Sequence, residues 1–377
     1  MAHLNRRAFV LQASSAALAA GTTARSALAQ SDPVVFGAVL PLTGSSATIG
    51  EDQRRGIELA LEQVNAKGGV LGKPLKVVIE DSAGRAQTAL DAAKKLVSVD
   101  GAKLVVGEYS SGITVPLRQA LQREGIVHVN CGSSSVKLRG GGGRTSFSVI
   151  GLDDLMAKFA AAALRKQNLG KAAVIVPNNA YGESITAEFG NAFKAAGGQV
   201  VNSTLYTEGQ STYRRELQQI ARYAPDVYLY SAYGQEAAII NREAFELGQK
   251  KTPWFGVYLS MCVSDAPKET VEGQIGAEVN FIGPNSKWYQ DLYTAKYKEK
   301  FRSAFNGYLY DAVAMAAAAV NKAGGTDAAK IMEAARTLDY DGATGPIRLD
   351  ADNERAVQDY LFATVKNGEV VPAELRS

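Results

Sequence analysis

Two serine-rich turns carry the strongest chemical signal in the sequence. Residues 109–112 (YSSG) follow an apolar run that ends at Gly107, and residues 132–135 (GSSS) follow a run that ends at Asn130. Serine hydroxyls beside the free N–H groups of a helix N-terminus can hold a carboxylate without any catalytic group. Serine also caps helices in the absence of a ligand, and a single turn would favour that interpretation. Two such turns after consecutive strands favour a carboxylate-binding site.

Two tyrosines stand at similar places in the second half of the chain. Tyr181 follows an apolar run that ends at Val176, and Tyr233 follows a run that ends at Ser231. Aromatic side chains at the carboxyl ends of strands can form the opposite wall of a ligand cleft. Position alone leaves this interpretation and ordinary surface or packing tyrosines equally open.

Other residues with chemical potential are better explained without catalysis. The glycine clusters at residues 68–72 and 140–143 match neither phosphate-binding glycine pattern. Glu80 and Asp81 end a strand, where a capping or loop role is favoured. His128 is the only histidine beyond residue 29 and lies inside an apolar strand, so neither a His-rich zinc site nor a Ser-His-Asp triad is expected. We predict no catalytic residue, no metal and no cofactor.

The elements that position these turns alternate between strands and helices. Val/Ile-rich runs between amphipathic helices predict parallel sheets covered on both faces, hence a doubly wound α/β fold. The first series is predicted as strands 34–40, 75–80, 104–107 and 126–130 and helices 51–66, 86–97 and 114–123. After an extended segment, 145–150, the second is predicted as helices 153–167, 184–196, 212–223 and 235–247 and strands 172–176, 199–206, 226–231 and 254–258.

The last part of the chain is predicted to be mainly helical. Its helices are predicted at 288–301, 308–322 and 328–337, followed by a hairpin-like tail of 346–349 and 357–366. Two α/β series of similar length predict two lobes. Few Pro- or Ser-rich linkers separate them, which favours several short crossings over independently tethered domains.

The charge balance argues against nucleic-acid binding. The chain has 377 residues, with 41 Lys and Arg against 38 Asp and Glu. The excess of three comes from Arg6, Arg7 and Arg25, because the first 29 residues contain no acid. The remaining 348 residues therefore carry 38 charges of each sign, without the net basic charge that a nucleic-acid-binding protein needs.

Residues 1–29 are predicted to be an export signal. Arg6 and Arg7 precede a short, weakly apolar, Ala-rich run, and residues 27–29 (ALA) form a small-residue cleavage site. The paired arginines resemble a twin-arginine signal. An ordinary amphipathic first helix is the alternative, and it is disfavoured because the paired charges lie at one end and small residues at the other.

The rest of the sequence predicts a soluble periplasmic protein. There is no cysteine near the cleavage site to carry a lipid anchor, and no later run reaches the ~18 apolar residues of a membrane span. Cys131 and Cys262 are expected to be buried, unpaired thiols, although an oxidising compartment leaves a disulfide open.

With these features in place, the sequence resembles a known family, the leucine/isoleucine/valine-binding proteins. These are type I periplasmic binding proteins of ABC importers. The similarity extends over about residues 33–370. It is carried by residues 41–44 (PLTG), Gly50, Gly56, residues 59–60 (LA), residues 65–72 (NAKGGVLG), Asp81, residues 92–93 (AA), 96–97 (LV), 106–107 (VG), 110–111 (SS), 179–182 (NAYG) and the strand at 226–230.

The resemblance implies two α/β lobes with doubly wound parallel sheets, joined by a three-crossover hinge. Lobe 1 would comprise residues 33–150 plus about 283–343, and lobe 2 residues 151–282 plus about 344–377. The ligand would lie in the cleft between them. The implied partners are a small carboxylate ligand and an ABC permease in the inner membrane; we expect a monomer and no nucleic acid.

Applied position by position, the family resemblance implies roles for the serine turns and for the two tyrosines. Ser111 and Ser134, with backbone near Tyr109 and Gly132, would hold the carboxylate, while the lobe-2 tyrosines and Phe305 would enclose the ligand. The full set of predicted ligand-binding residues is Tyr109, Ser110, Ser111, Gly132, Ser133, Ser134, Tyr181, Tyr233 and Phe305.

One departure bears on the ligand. Amino-acid binders of this family place an acid after the strand at 254–258 to hold the α-ammonium, and here Leu259 is expected at that place. A buried ammonium without a counter-charge is costly. We therefore expect an aromatic, branched or keto acid that has no amine.

Several alternatives stay open. Within the class, they are a binder of branched-chain or other hydrophobic amino acids, or of amides or urea. From other classes, a receptor ectodomain would need a membrane span, and a periplasmic hydrolase would need an activated nucleophile.

Overall fold

The computed structural model describes residues 32–140, 145–279, 284–300 and 302–376. The predicted export signal, residues 1–29, lies outside these ranges, as do residues 141–143 of the second glycine cluster.

The first half of the chain builds a parallel sheet in the order β2-β1-β3-β4-β5. Apolar residues on both faces of its inner strands are buried by flanking helices, as the uninterrupted Val/Ile runs predict. The elements are β1 (Val34–Leu40), α1 (Ala47–Ala66), β2 (Leu75–Asp81), α2 (Ala86–Ser98), β3 (Leu104–Gly107), α3 (Ser111–Arg123), β4 (Val127–Asn130) and β5 (Ser146–Ser148).

The next part of the chain builds most of a second sheet. Strands β7, β6, β8, β9 and β10 are parallel neighbours in that order. Its elements are α4 (Asp153–Lys166), β6 (Lys171–Pro177), α5 (Ala180–Ala195), β7 (Gln199–Tyr206), α6 (Arg214–Ala221), β8 (Val227–Tyr230), α7 (Gly234–Glu246), β9 (Trp254–Val257), α8 (Leu259–Val263), α9 (Lys268–Val271) and β10 (Ile275–Val279).

The last part of the chain contributes to both halves. Its first helices return to the N-terminal sheet, and its last two strands extend the second sheet antiparallel beyond β10. The elements are α10 (Lys287–Tyr297), α11 (Phe305–Ala323), α12 (Ala328–Arg336), β11 (Tyr340–Gly342), β12 (Gly345–Ile347), β13 (Tyr360–Lys366) and β14 (Glu369–Pro372). The architecture is the predicted α/β fold with two parallel-sheet lobes.

The predicted tail hairpin of residues 346–349 and 357–366 is wrong. Gly345–Ile347 pairs with Tyr340–Gly342, while Tyr360–Lys366 pairs with β10 and β14. Both runs contain strands, but one pairs with the strand just before it, and the other pairs with a distant strand and with the strand that follows it. The sequence interpretation also omitted β10 and β14.

The chain passes between the two sheets three times, after Ser148, after Val279 and between Ile347 and Tyr360. The second passage runs through residues outside the described ranges. We propose the lobe division expected from the sequence, with the last crossing moved beyond β12, because β11 and β12 pair with each other.

Buried arginines join these passages. The Arg355 guanidinium donates to the carbonyl oxygens of Val149 (2.8 Å), Thr344 (2.9 Å) and Pro346 (2.7 Å), so the third passage is bonded to the first. Arg118 in α3 forms a buried ion pair with Glu354 at 2.5 Å. Removing one partner of such a pair would leave a buried charge uncompensated.

Helices α1 and α11 pack closely on one face of the N-terminal sheet. They approach each other closely at Gly56, where an added Cβ would lie 2.0 Å from the carbonyl oxygen of Asn306. A methyl group cannot occupy that space unless the helices move apart.

We therefore expect Gly56→Ala to destabilise the protein by about 1–3 kcal/mol, the usual cost of overpacking. Gly190→Ala in α5 is the matched control, since a Cβ there meets nothing within 4 Å. That substitution should stabilise the chain by about 0.5–1 kcal/mol through helix propensity. Urea unfolding measures both changes, and a Gly56→Ala variant as stable as Gly190→Ala would contradict this packing.

Candidate functional site

A cavity lies between the lobes, where the carboxyl ends of strands from both sheets meet. It measures about 320 Å³ when the part open to solvent is counted. Its lining residues are Tyr109, Ser110, Ser111, Gly132, Ser134, Tyr181, Tyr233, Tyr258, Met261 and Phe305.

The first serine turn is held from behind by a buried acid. Glu108 accepts hydrogen bonds from the backbone N–H of Ser110 (2.7 Å) and from the Ser82 hydroxyl (2.7 Å). Burial raises the pKa of Glu108 to about 7, opposed by these hydrogen bonds. Ser110 is the N-cap residue of α3, yet its hydroxyl makes no capping hydrogen bond. The helix-capping alternative therefore does not account for this side chain.

The second serine turn packs against the first. A Cβ on Gly132 would lie 2.8 Å from the Cα of Tyr109, so glycine permits this approach. The Ser135 N–H donates to the Ser111 hydroxyl at 3.4 Å, and Ser111 and Ser134 are both buried at the cavity. The two turns thus present hydroxyls to one space, beside the first turn of α3.

Ser133 is placed differently from its neighbours. It is not among the lining residues, and its hydroxyl lies 3.0 Å from the Tyr109 carbonyl oxygen and 2.5 Å from the Thr114 hydroxyl. Within this part of the structure Ser133 joins the two turns, while Ser110, Ser111 and Ser134 face the cavity.

Lobe 2 positions its two predicted tyrosines through one polar network. The Asn179 side chain caps α5 by accepting from the N–H of Tyr181 (3.0 Å) and of Gly182 (3.1 Å). The Tyr233 hydroxyl donates to Glu208 at 2.9 Å, and Glu208 also accepts from Asn179 at 3.0 Å. The Tyr233 hydroxyl is therefore bonded to Glu208, and its ring is the part of the side chain available to line the cavity.

Aromatic contacts cross the cleft. The Tyr109 ring meets Tyr233 edge to face with centroids 5.2 Å apart, and meets Phe305 in the same geometry at 5.0 Å. The Tyr109 hydroxyl lies 3.2 Å from the Met261 sulfur of the other lobe. The lobes are in contact around the cavity, which gives it an apolar, aromatic wall opposite the serines.

The expectation that Leu259 faces the ligand is wrong. Leu259 is fully buried against the sheet, where its side chain packs over Gly256 and Gly276. Its neighbours Tyr258 and Met261 line the cavity instead. No sequence pattern indicates this change, because it arises from the left-handed backbone of Tyr258 (φ 57°, ψ 75°), which alters the direction of the side chains that follow.

The sequence interpretation also missed Asp153, at the start of α4. It is fully buried, and its N–H donates to the carbonyl oxygen of Ser134 at 2.7 Å. Burial raises its pKa to about 7, opposed by the hydroxyls of Ser184 and Ser134. Its charge in turn helps to raise the pKa values of the cavity residues Tyr181 and Tyr258. Asp153 is therefore an acid directly behind the cavity lining.

The remaining titratable candidates are structural. His128 is fully buried in β4, its Nε2 lies 2.6 Å from the Gly107 carbonyl oxygen, and burial lowers its pKa to about 3. Cys131 and Cys262 are buried and unpaired, which confirms the favoured prediction. Across the described ranges there is no cluster of three or more His, Cys, Asp or Glu residues suited to a metal ion.

The sequence profile of the family described as periplasmic binding protein matches residues 33–369. The chain belongs to this family. Its members are solute-binding proteins rather than enzymes, and the predicted resemblance to leucine/isoleucine/valine-binding proteins is confirmed. No helix in the described ranges has the length and apolar character needed to cross a membrane.

Two relatives illustrate the similarity. The Leu/Ile/Val-binding protein BraC3 of Rhizobium johnstonii is 29% identical over 363 residues, covering 92% of this chain and 95% of its own. A leucine-, isoleucine-, valine-, threonine- and alanine-binding protein of Pseudomonas aeruginosa is 28% identical over 315 residues, covering 82% and 84%.

Solved structures share the fold at lower identity. The LivJ substrate-binding protein of Streptococcus pneumoniae, in complex with isoleucine, has a TM-score of 0.81 at 24% identity and covers 91% of this chain and 99% of its own. A solute-binding protein of R. palustris, in complex with benzoate, has a TM-score of 0.83 at 21% identity, with coverage of 92% and 97%. Similar scaffolds therefore hold an amino acid in one protein and an aromatic acid in another.

Proposed function

We propose that this chain is the solute-binding protein of an ABC importer that captures a small carboxylic acid between its lobes. The observation that carries the proposal is the pair of serine turns at the cavity. Ser111 and Ser134 are buried there beside the N-terminus of α3, and the wall opposite them is aromatic. A helix N-terminus with adjacent hydroxyls stabilises an anion through N–H groups and the helix dipole.

The ligand's body is proposed to be aromatic or branched, with a keto acid included. Tyr109, Tyr233 and Phe305 offer ring faces and edges, and aromatic pairs contribute about 0.5–1.5 kcal/mol beyond the area they bury. No acidic side chain is among the residues that line the cavity. Tyr258 and Met261, which line the cavity where Leu259 was expected, are likewise uncharged.

An amino acid is the second candidate, and Asp153 is the observation that favours it. This buried acid lies behind Ser134 and carries no ion pair with a described basic side chain. A ligand ammonium that reached it would find a counter-charge. The names of the relatives point to the same class of ligand.

Capture is proposed to proceed by closure of the lobes around the ligand. Polar contacts between lobes flank the cavity: Ser135 donates to the Ala180 carbonyl oxygen at 3.1 Å, and the Val136 N–H donates to the Ser184 hydroxyl at 3.1 Å. Nearby, Lys137 and Glu183 form an exposed ion pair at 2.6 Å. Exposed pairs contribute little, so the ligand and the buried contacts would supply most of the closing energy.

The closed, monomeric protein is proposed to deliver its ligand to a permease in the inner membrane. For this it must reach the periplasm, and we propose export by the twin-arginine route with cleavage after Ala29. The support is the Arg6-Arg7 pair and the small-residue site at residues 27–29.

Ser111→Ala and Ser134→Ala should each weaken binding of 4-methyl-2-oxopentanoate roughly 10- to 100-fold, because a hydrogen bond to a charged group contributes about 1.5–3 kcal/mol. Isothermal titration calorimetry measures the change. Ser203→Ala on the exposed surface of β7 is the control and should bind like wild type. Unchanged affinity in both cavity variants would show that these serines do not bind the ligand carboxylate.

Competition between matched ligands tests the ligand class. We expect 4-methyl-2-oxopentanoate to bind about 10-fold more tightly than leucine, and phenylpyruvate or benzoate more tightly than phenylalanine, because a buried ammonium would lose its water without gaining a lining counter-charge. The Asp153→Asn variant separates the candidates, with Asp154→Asn, whose acid pairs with Arg139, as the control. A clear preference for leucine that Asp153→Asn abolishes would establish the amino-acid alternative.

For export, mass spectrometry of the periplasmic protein should give a chain that begins at Gln30. Replacing Arg6 and Arg7 together by lysine should abolish export, while Arg25→Lys should leave it intact, since only the paired arginines resemble the twin-arginine motif. Export of the double variant at the wild-type level would instead indicate the general secretory route.

A further inference from the structure

Tyr258 combines features that the proposed function leaves unexplained. It lines the cavity immediately after β9, at the wall opposite the serine turns. We propose that Tyr258 determines specificity, and that its hydroxyl recognises an uncharged oxygen, a keto or hydroxyl group, on the carboxylic acid. This inference rests on the proposed function and narrows its substrate class.

The backbone of Tyr258 is in an uncommon conformation. Its φ of 57° and ψ of 75° lie near the left-handed region, which a bulky aromatic residue rarely adopts. Such a conformation persists where the surroundings determine it, and it is often found at ligand sites. Here it directs Tyr258 to the cavity and Leu259 to the sheet, so the strained residue is the one exposed to the ligand.

The Tyr258 side chain is held in place by aromatic neighbours. Its ring centroid lies 5.9 Å from that of Phe305, 6.5 Å from Tyr308 and 6.4 Å from Tyr360. The residue is only 2% exposed. A ring fixed on several sides presents its hydroxyl at a defined point, which is what selective recognition requires.

Among the residues that the structure describes, no atom lies within 3.5 Å of this hydroxyl in hydrogen-bonding geometry, although Tyr360 interacts with it over a longer distance. Buried polar groups in proteins are almost always hydrogen-bonded, and leaving one unpaired is costly. The adjoining Tyr360 hydroxyl also lacks a close partner, but Tyr360 does not line the cavity. A ligand oxygen in the cavity that Tyr258 lines would give its hydroxyl a close hydrogen-bond partner, while Tyr360 does not border that space.

The protonation state of Tyr258 sets the chemistry of that atom. Burial raises its pKa well above 10, so the phenol is neutral at physiological pH. A neutral phenol donates one hydrogen bond and accepts others, but it offers no charge to balance an ammonium. A keto or hydroxyl oxygen is therefore the group that it recognises best.

The test compares Tyr258→Phe with wild type on two pairs of acids that differ by one oxygen. The pairs are 4-methyl-2-oxopentanoate with 4-methylpentanoate, and 4-hydroxybenzoate with benzoate. We expect wild type to prefer the oxygenated member of at least one pair. Tyr258→Phe should lose about 10-fold affinity for that member and less than 2-fold for its partner, because only one hydrogen bond is removed.

Tyr360→Phe is the matched control, since it removes the neighbouring hydroxyl outside the cavity. It should change the melting temperature without altering the preference within either pair. Equal losses for all four acids in both tyrosine variants, or no loss in Tyr258→Phe, would overturn the inference while leaving the proposed function intact. Wild-type protein that binds none of the four acids would overturn both.

Discussion

The carboxyl ends of the parallel strands in both sheets open onto one space, and the rest of the molecule depends on that arrangement. In a parallel α/β sheet, each strand is followed by a turn and a helix, so the residues just after the strands gather at one edge. Both serine turns of lobe 1 come from such positions, and so do Tyr181, Tyr233 and Tyr258 of lobe 2. The cleft therefore brings together residues more than 100 positions apart without requiring long loops.

The support for these turns lies in buried polar residues rather than in the cavity itself. Glu108 accepts from the Ser110 N–H of the first serine turn, Asn130 accepts from the Ser133 N–H of the second, and the Ser133 hydroxyl joins the two turns by donating to the Tyr109 carbonyl oxygen. Asn179 and Glu208 link Tyr181 to Tyr233. Each of these groups is satisfied by backbone or neighbouring side chains. The lining serines of lobe 1 are thus kept at fixed positions beside the cavity.

Much of the site was predictable because it follows from strand order. Ser111, Ser134, Tyr181 and Tyr233 come directly after strands that the Val/Ile runs mark clearly, and Phe305 followed from the family resemblance. All five lie at the cavity.

The site residues and strand pairings that were predicted wrongly depend on features that hydrophobic periodicity does not encode. Tyr258 has a left-handed backbone, which sets the direction of the chain after β9. Sequence periodicity does not reveal this conformation, so it predicts Leu259 in the cleft and misses Met261. Asp153 looked like an ordinary acid in the first turn of a helix, where helix dipoles favour it. Its burial behind Ser134 depends on how the first passage between lobes meets the serine turn, which is a tertiary contact. The tail strands were mispaired for the same reason.

The most direct test of this account is a crystal structure of the chain from Gln30 onward with 4-methyl-2-oxopentanoate bound. We expect one ligand in the cleft, with its carboxylate within hydrogen-bond distance of Ser111 and Ser134 and its apolar end against Tyr109, Tyr233 and Phe305. A carboxylate bound to lobe 2, or a ligand outside the cleft, would contradict it.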